Sequence, residues 1–277
     1  MKEMKKTLDW DIETIPVRVK ENVLTNWVAI SRNDTGAILS VRSQKYKPFK
    51  NKDLHRLVER IKSKTNYELV GYQDFRKGRR VIAYLKLNSE NLPKGLSKLS
   101  IGKSETNDFL LIGNAHDGSS ALFLAYTNVL LRCENQFTLP MRLFGKEHRE
   151  SIHFTEDSIE KVIRDFHEER EKIYELMNGW RQQVVPEGLI DRLICHLFPN
   201  GDFDKMPIEI REKRAELMRS IELATNELGS NFWGLFNGVT HYTTPRSSGS
   251  LFGNPYSVSS RLNAKAIEFL TSESHAA

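Results

Sequence analysis

Residues 108–133 read DFLLIGNAHDGSSALFLAYTNVLLRC. Two apolar, β-prone runs, 108–115 and 121–133, flank the turn residues His116-Asp117-Gly118. Asp-Gly between apolar runs is a hairpin signal, although this connection is longer than the two-residue minimum. Upstream, NYELVGYQD (66–74) and RRVIAYLKL (79–87) repeat the pattern around Phe75-Arg76-Lys77-Gly78, where Gly78 can take positive φ. Further back, NWVAISR (26–32) and AILSVR (37–42) are joined by Asn33-Asp34-Thr35-Gly36, again turn chemistry. Six antiparallel strands are therefore expected within residues 26–133. One helix interrupts them: in 51–64 Leu54, Leu57, Val58 and Ile61 stand at i, i+3, i+4 and i+7, with Asn51 as the expected N-cap.

Beyond residue 150 the period changes from two to 3.6. Ile159, Val162, Ile163, Phe166, Ile173, Leu176 and Met177 mark a helix over 156–178, with Thr155 the favoured N-cap and Ser158 a second candidate. Helices are also expected over 187–198 and 207–228, with Pro186 and Pro207 at their starts, and over 261–271. TPRSSGSLFGNPYS (244–257) is rich in Gly, Pro and Ser and reads as a mobile loop. The expected fold is α+β: a curved antiparallel sheet of hairpins with one inserted helix, followed by a helical C-terminal part. The expected organisation is an N-terminal segment (1–24), a basic β-rich module (25–150), an acidic helical part packed on it (151–243), and a flexible loop with a short helix (244–277).

At 277 residues the chain can bury a substantial core as one large domain or two modest ones. Its charge is polarised. Residues 1–103 carry 23 Lys/Arg against 11 Asp/Glu, a net +12, and the remainder a net −7. A basic half of this kind is an electrostatic footprint for a polyanion, with a solvated basic face as the plainer reading. No apolar run is long enough to span a bilayer and no secretory pattern is visible, so a cytoplasmic protein with no membrane partner is expected. Cys133 and Cys195 lie in apolar surroundings and read as reduced, buried thiols.

Motifs for nucleotide or metal chemistry are missing. There is no GxxxxGK[ST], no GxGxxG after a strand, no HExxH and no GxSxG, and the eight histidines are scattered. No cofactor, metal or catalytic residue is assigned. Asp9, Asp11 and Glu13 could hold a divalent ion, or form a solvated acidic turn. His116-Asp117 could be an oriented base, but neighbours on a turn rarely face one another, and a turn in which Asn114 and Asp117 bond to backbone is the preferred reading.

Basic and aromatic residues interleave in two places. Lys45-Tyr46-Lys47-Pro48-Phe49-Lys50-Asn51-Lys52 alternates cations with rings, and Tyr72, Phe75, Arg76, Lys77, Arg79 and Arg80 repeat the theme, with Lys86 further along the strand. Cations neutralise phosphates, and rings accept stacked bases without reading sequence. The alternative for Tyr46, Phe49 and Tyr72 is a place in the core. Trp233 and Asn237, in NFWGLFNGVTHY, read as part of a docking helix that completes the core.

Three segments in combination resemble a phage/plasmid-like protein family with a domain of unknown function: GYQDFRKGRRVIAYLKL (71–87), LLIGNAHDGSSALFLAYTNVLLRCEN (110–135) and FWGLFNGVTHY (232–242). SRNDTGAILSVRSQKYKPFKN (31–51) fits as well, and the resemblance runs from about residue 25 to 243. It marks Asn114, His116, Asp117, Gly118, Arg132, Asn135, Trp233 and Asn237 as structural motif residues. The family is similar in plan to single-strand annealing proteins of the Rad fifty-two, Erf and RecT type, an analogy of fold. That likeness implies single-stranded DNA as partner, assembly of copies into a ring or filament, and ATP-independent annealing in recombination within a bacterial host cell. The rival readings are a metal-dependent nuclease built on the Asp9/Asp11/Glu13 cluster or Asp117, and a mobile-element protein that inhibits a host defence protein.

Overall fold

The computed structural model describes residues 4–87, 106–119, 122–130, 136–141, 155–199, 206–244 and 258–276. Arg132, Cys133, Asn135 and all of the expected 244–257 loop but Thr244 lie outside the described residues. The fold is α+β, as the patterning implies, but the hairpins divide between two antiparallel sheets. The first contains β1 (Ile12–Val19), β2 (Asn22–Arg32) and β3 (Ile38–Ser43) in that order. After α1 (Asn51–Lys64) comes a five-stranded meander of β4 (Glu68–Phe75), β5 (Arg80–Lys86), β6 (Thr106–Ala115), β7 (Phe123–Leu130) and β8 (Gln136–Met141). The helices α2 (Glu156–Gln182), α3 (Leu189–Leu197), α4 (Ile208–Leu228), α5 (Phe232–Thr243) and α6 (Val258–Ala276) follow.

Strands β1 and β8 are additions to the expected set. Strand β1 occupies what read as an N-terminal segment: Pro16 breaks the alternation there, and the pairing with β2 shifts register between Pro16 and Arg18. One of the two expected caps differs. Lys50, not Asn51, precedes α1, and Asn51 is drawn inward as the first helical residue. Thr155 caps α2 as expected, its hydroxyl accepting from Ser158 N at 3.2 Å. Cys195 is exposed on α3 rather than buried.

The central strands of the five-stranded sheet are covered on both faces. On one, Val81, Ala83, Leu85, Leu110, Ile112 and Leu124 join the main core with α1, α2 and α5. On the other, Ile82, Tyr84, Phe109, Leu111 and Ala125 form a second buried cluster, with Phe75 and Phe123 packed on it. Gly113 leaves room for the Phe123 ring, since a Cβ there would lie 1.9 Å from a ring carbon. Helix α5 is buried along almost its whole length, with Trp233 and Asn237 both inside and Asn237 Nδ2 donating to the Trp233 carbonyl at 2.8 Å. This is the docking helix read from the sequence.

Strand β6 ties the layers together through the inner ends of its run. Its inward face carries Asp108, Leu110, Ile112 and Asn114, with His116 just beyond, so it is apolar in the middle and polar at both ends. At one end Asp108 receives Arg170 Nε at 2.6 Å and the Tyr174 hydroxyl at 2.8 Å. Both come from α2, four residues apart on one helix face. Next to them Tyr67 OH and His167 Nε2 are 2.5 Å apart. No helix of the described residues is long and apolar enough to cross a membrane.

Candidate functional site

The other polar end of β6 meets the first sheet. His116 is fully buried, and its Nε2 lies 2.9 Å from Asn51 Oδ1. Because that amide oxygen can only accept, the imidazole proton sits on Nε2. Asn51 in turn donates from Nδ2 to the Trp10 carbonyl at 3.1 Å, while its backbone N–H donates to Asp11 Oδ1 at 2.9 Å. Asn114 Nδ2 donates to the Phe49 carbonyl at 2.7 Å. Ser40 Oγ of β3 donates to the His116 carbonyl at 2.8 Å, and Trp10 meets the imidazole edge-on at 5.8 Å. One buried network thus joins the N-terminal strand, the start of α1, β3 and the β6–β7 turn. His116 is a keystone of this junction and makes its bond to Asn51, not to Asp117.

Asp117 shapes the turn instead. Its Oδ1 accepts from Ser119 N at 2.9 Å, and its Oδ2 lies 4.0 Å from Arg80 Nε. Burial pushes its carboxyl up, but the bonds from Ser119 and the charges of Arg80 and Arg42 outweigh this and hold it below the usual carboxylate value. Gly118, at φ 62°, passes so close to the Arg42 guanidinium that a Cβ would lie 2.6 Å from its Cζ.

The acidic N-terminal cluster is dispersed. Asp9 pairs with Lys5 at 3.2 Å, Asp11 is committed to backbone N–H groups, and Glu13 is exposed on β1. No group of three His, Cys, Asp or Glu side chains among the described residues could hold a metal ion.

The basic and aromatic residues separate into two kinds. Phe49 (6% exposed) and Tyr72 (2%) belong to the main core, and the Tyr72 hydroxyl lies 2.7 Å from His55 Nδ1, so neither ring is open to a stacking base. Arg80 is buried as well, its Nε donating to Ser119 Oγ at 3.2 Å. Phe75 is half-buried against the second cluster, and Lys50 and Lys86 are half-buried. The remaining cations face solvent. Arg76 and Lys77 take left-handed φ values of 52° and 61° in the β4–β5 turn, which projects their side chains with that of Arg79. Lys45 and Lys47 are exposed on the connection from β3 into α1, and Lys52 is exposed in the first turn of α1. None of these six cations forms an ion pair with a carboxylate among the described residues.

The segments bearing them are tied to the same junction. Gly78 packs on Arg32 and Trp10, and Arg79 O accepts from His116 N at 2.8 Å. Tyr46 OH donates to the Ala115 carbonyl at 3.4 Å, and Lys52 follows Asn51. Burial pushes the Tyr46 hydroxyl pKa up to about 12, so it remains a neutral donor. Sequence reasoning missed Trp27, which sits half-exposed on β2 next to this region. The signal was present as a tryptophan in an alternating strand, but alternation does not say which face is covered.

No curated protein and no solved structure matches the chain. A family model matches residues 38–265, a span that includes α1, both junction turns and α5. By that match the chain belongs to the family of the domain of unknown function DUF932.

Proposed function

We propose that the protein binds single-stranded DNA across the basic junction and promotes annealing without a nucleotide cofactor. The observation that carries this reading is the set of six exposed cations, Arg76, Lys77, Arg79, Lys45, Lys47 and Lys52, none with a carboxylate partner among the described residues and all on segments held by the His116–Asn51 network. Uncompensated cations on a rigid scaffold neutralise phosphates and release counterions. The mechanism is passive: strands are held extended, their mutual repulsion is reduced, and base pairing proceeds. The proposal extends to assembly of copies into a ring or filament, supported by the exposed arm formed by the distal parts of β1 and β2, where Val19, Val23 and Leu24 face solvent.

The test is fluorescence anisotropy of a labelled oligothymidine across a salt series, with a duplex of equal length as control. The informative variant is Arg76→Ala/Lys77→Ala/Arg79→Ala; Arg80 is left intact because it supports the turn. Loss of three phosphate contacts lowers the log–log salt slope by about 2. Unchanged affinity and slope in this variant would remove the site.

A further inference from the structure

The protein has four tryptophans, and three are buried: Trp10 at 4% exposure, Trp180 at 1% and Trp233 at 2%, against 49% for Trp27. Trp27 stands on the outer face of the first sheet. It pairs across to Ser43, while its same-face neighbour Ala29 pairs with Val41, itself 48% exposed. Strand β3 is the edge of this sheet. Where β3 ends, Gln44 N donates to the Asn26 carbonyl and Tyr46 N to the Ser43 carbonyl, both at 2.9 Å, which turns Lys45 and Tyr46 back along the edge.

The result is a cleft of about 380 Å³ lined by Trp27, Val41, Arg42, Ser43, Lys45 and Tyr46. That volume falls within the roughly 300–1,000 Å³ of small-ligand clefts. Its lining combines an open indole, two cations and no carboxylate. An acidic peptide would answer the cations but not the indole face, and an apolar partner would leave the cations desolvated. A nucleotide of a single strand answers both, with a planar base for the ring and phosphates for the cations. A duplex offers no unstacked base.

We infer that this cleft is a base-stacking subsite in which one unpaired base lies against Trp27 and the flanking phosphates meet Lys45 and Arg42. This rests on the single-strand binding reading, and it adds the residue that distinguishes single strands from other polyanions.

Because Trp27 is the exposed tryptophan, its emission reports on the cleft directly. Unlabelled oligothymidine is titrated into the full chain while intrinsic fluorescence is read, in parallel with anisotropy of the labelled oligomer. Expected results are quenching that tracks binding, loss of the quench in Trp27→Phe with binding retained, and roughly tenfold or greater weakening in Trp27→Ala at unchanged salt slope. An oligomer of abasic sites should bind with the same slope and leave the emission unaltered. A thermal melt of Trp27→Ala matching the parent shows that the fold is intact. Binding by anisotropy with no quench and parental affinity in Trp27→Ala would overturn the subsite while leaving the junction reading in place. Absence of binding at low salt would overturn both.

Discussion

The two sheets are built from similar sequence patterns and meet different fates. In β5 and β6 both faces are packed, so Tyr84 and Leu111 on the face away from the main core are fully buried. In β1–β3 the burial is partial: Ile12, Ile30 and Leu39 reach the core, while Trp27, Ile38 and Val41 on the other face stay about half exposed. The larger sheet therefore buries both faces of its central strands, whereas the smaller one leaves apolar and aromatic surface open to solvent. A flat stacking platform on the large sheet, which its interleaved Tyr72 and Phe75 suggest, is closed off by its own packing.

The largest effect is expected at the polar anchor of the large sheet. Arg170→Ala removes the cation bonded to the buried Asp108 carboxyl, and should cost about 3–5 kcal/mol in chemical denaturation. Replacing both partners, as Asp108→Leu with Arg170→Met, should recover part of that loss. If the single variant melts with the parent, β6 is not anchored through this pair. Next in size, Leu111→Ala on the outer face of the large sheet should cost about 2–5 kcal/mol through lost burial and a cavity.

The same region sets a pH dependence. Burial, reinforced by the Arg170 charge, lowers the His167 pKa to about 4, below the ordinary 6.5. The unfolded chain takes up this proton first as pH falls. The stabilisation is therefore complete above about pH 6.5 and is lost progressively down to about pH 4, by up to roughly 3 kcal/mol. His167→Gln should flatten stability against pH in that window; an unchanged slope would place its origin elsewhere. The smallest effect belongs to the small sheet's open face, where Trp27→Ala should shift stability by no more than about 0.5 kcal/mol. A loss as large as that of Leu111→Ala would mean that the indole is structural and that the two outer faces are alike.

Much of the local structure was legible in the chain. The helices α1, α2, α4 and α5 follow stripes such as Leu54/Leu57/Val58/Ile61, and the turns at Gly36, Gly78 and Gly118 all take positive φ. Strand β1 was not legible, because Pro16 and a register shift interrupt its alternation and its partner lies on a hairpin already complete by local rules. The Asp108–Arg170 pair spans 62 residues, beyond the reach of any local pattern. For the candidate site, the exposed cations of 45–52 and 76–79 were evident from composition, whereas the burial of Phe49, Tyr72 and Arg80 was not.

The α+β class, the hairpin turns, the polarity of charge and the absence of the common nucleotide-binding motifs follow from residue type and short-range spacing. Tertiary structure alone decided that the hairpins form two sheets, that His116 locks a junction, and that Trp27 rather than Tyr72 is the open ring. The reason is physical: alternation assigns a side chain to one of two faces, but what covers a face is set by segments distant in the chain.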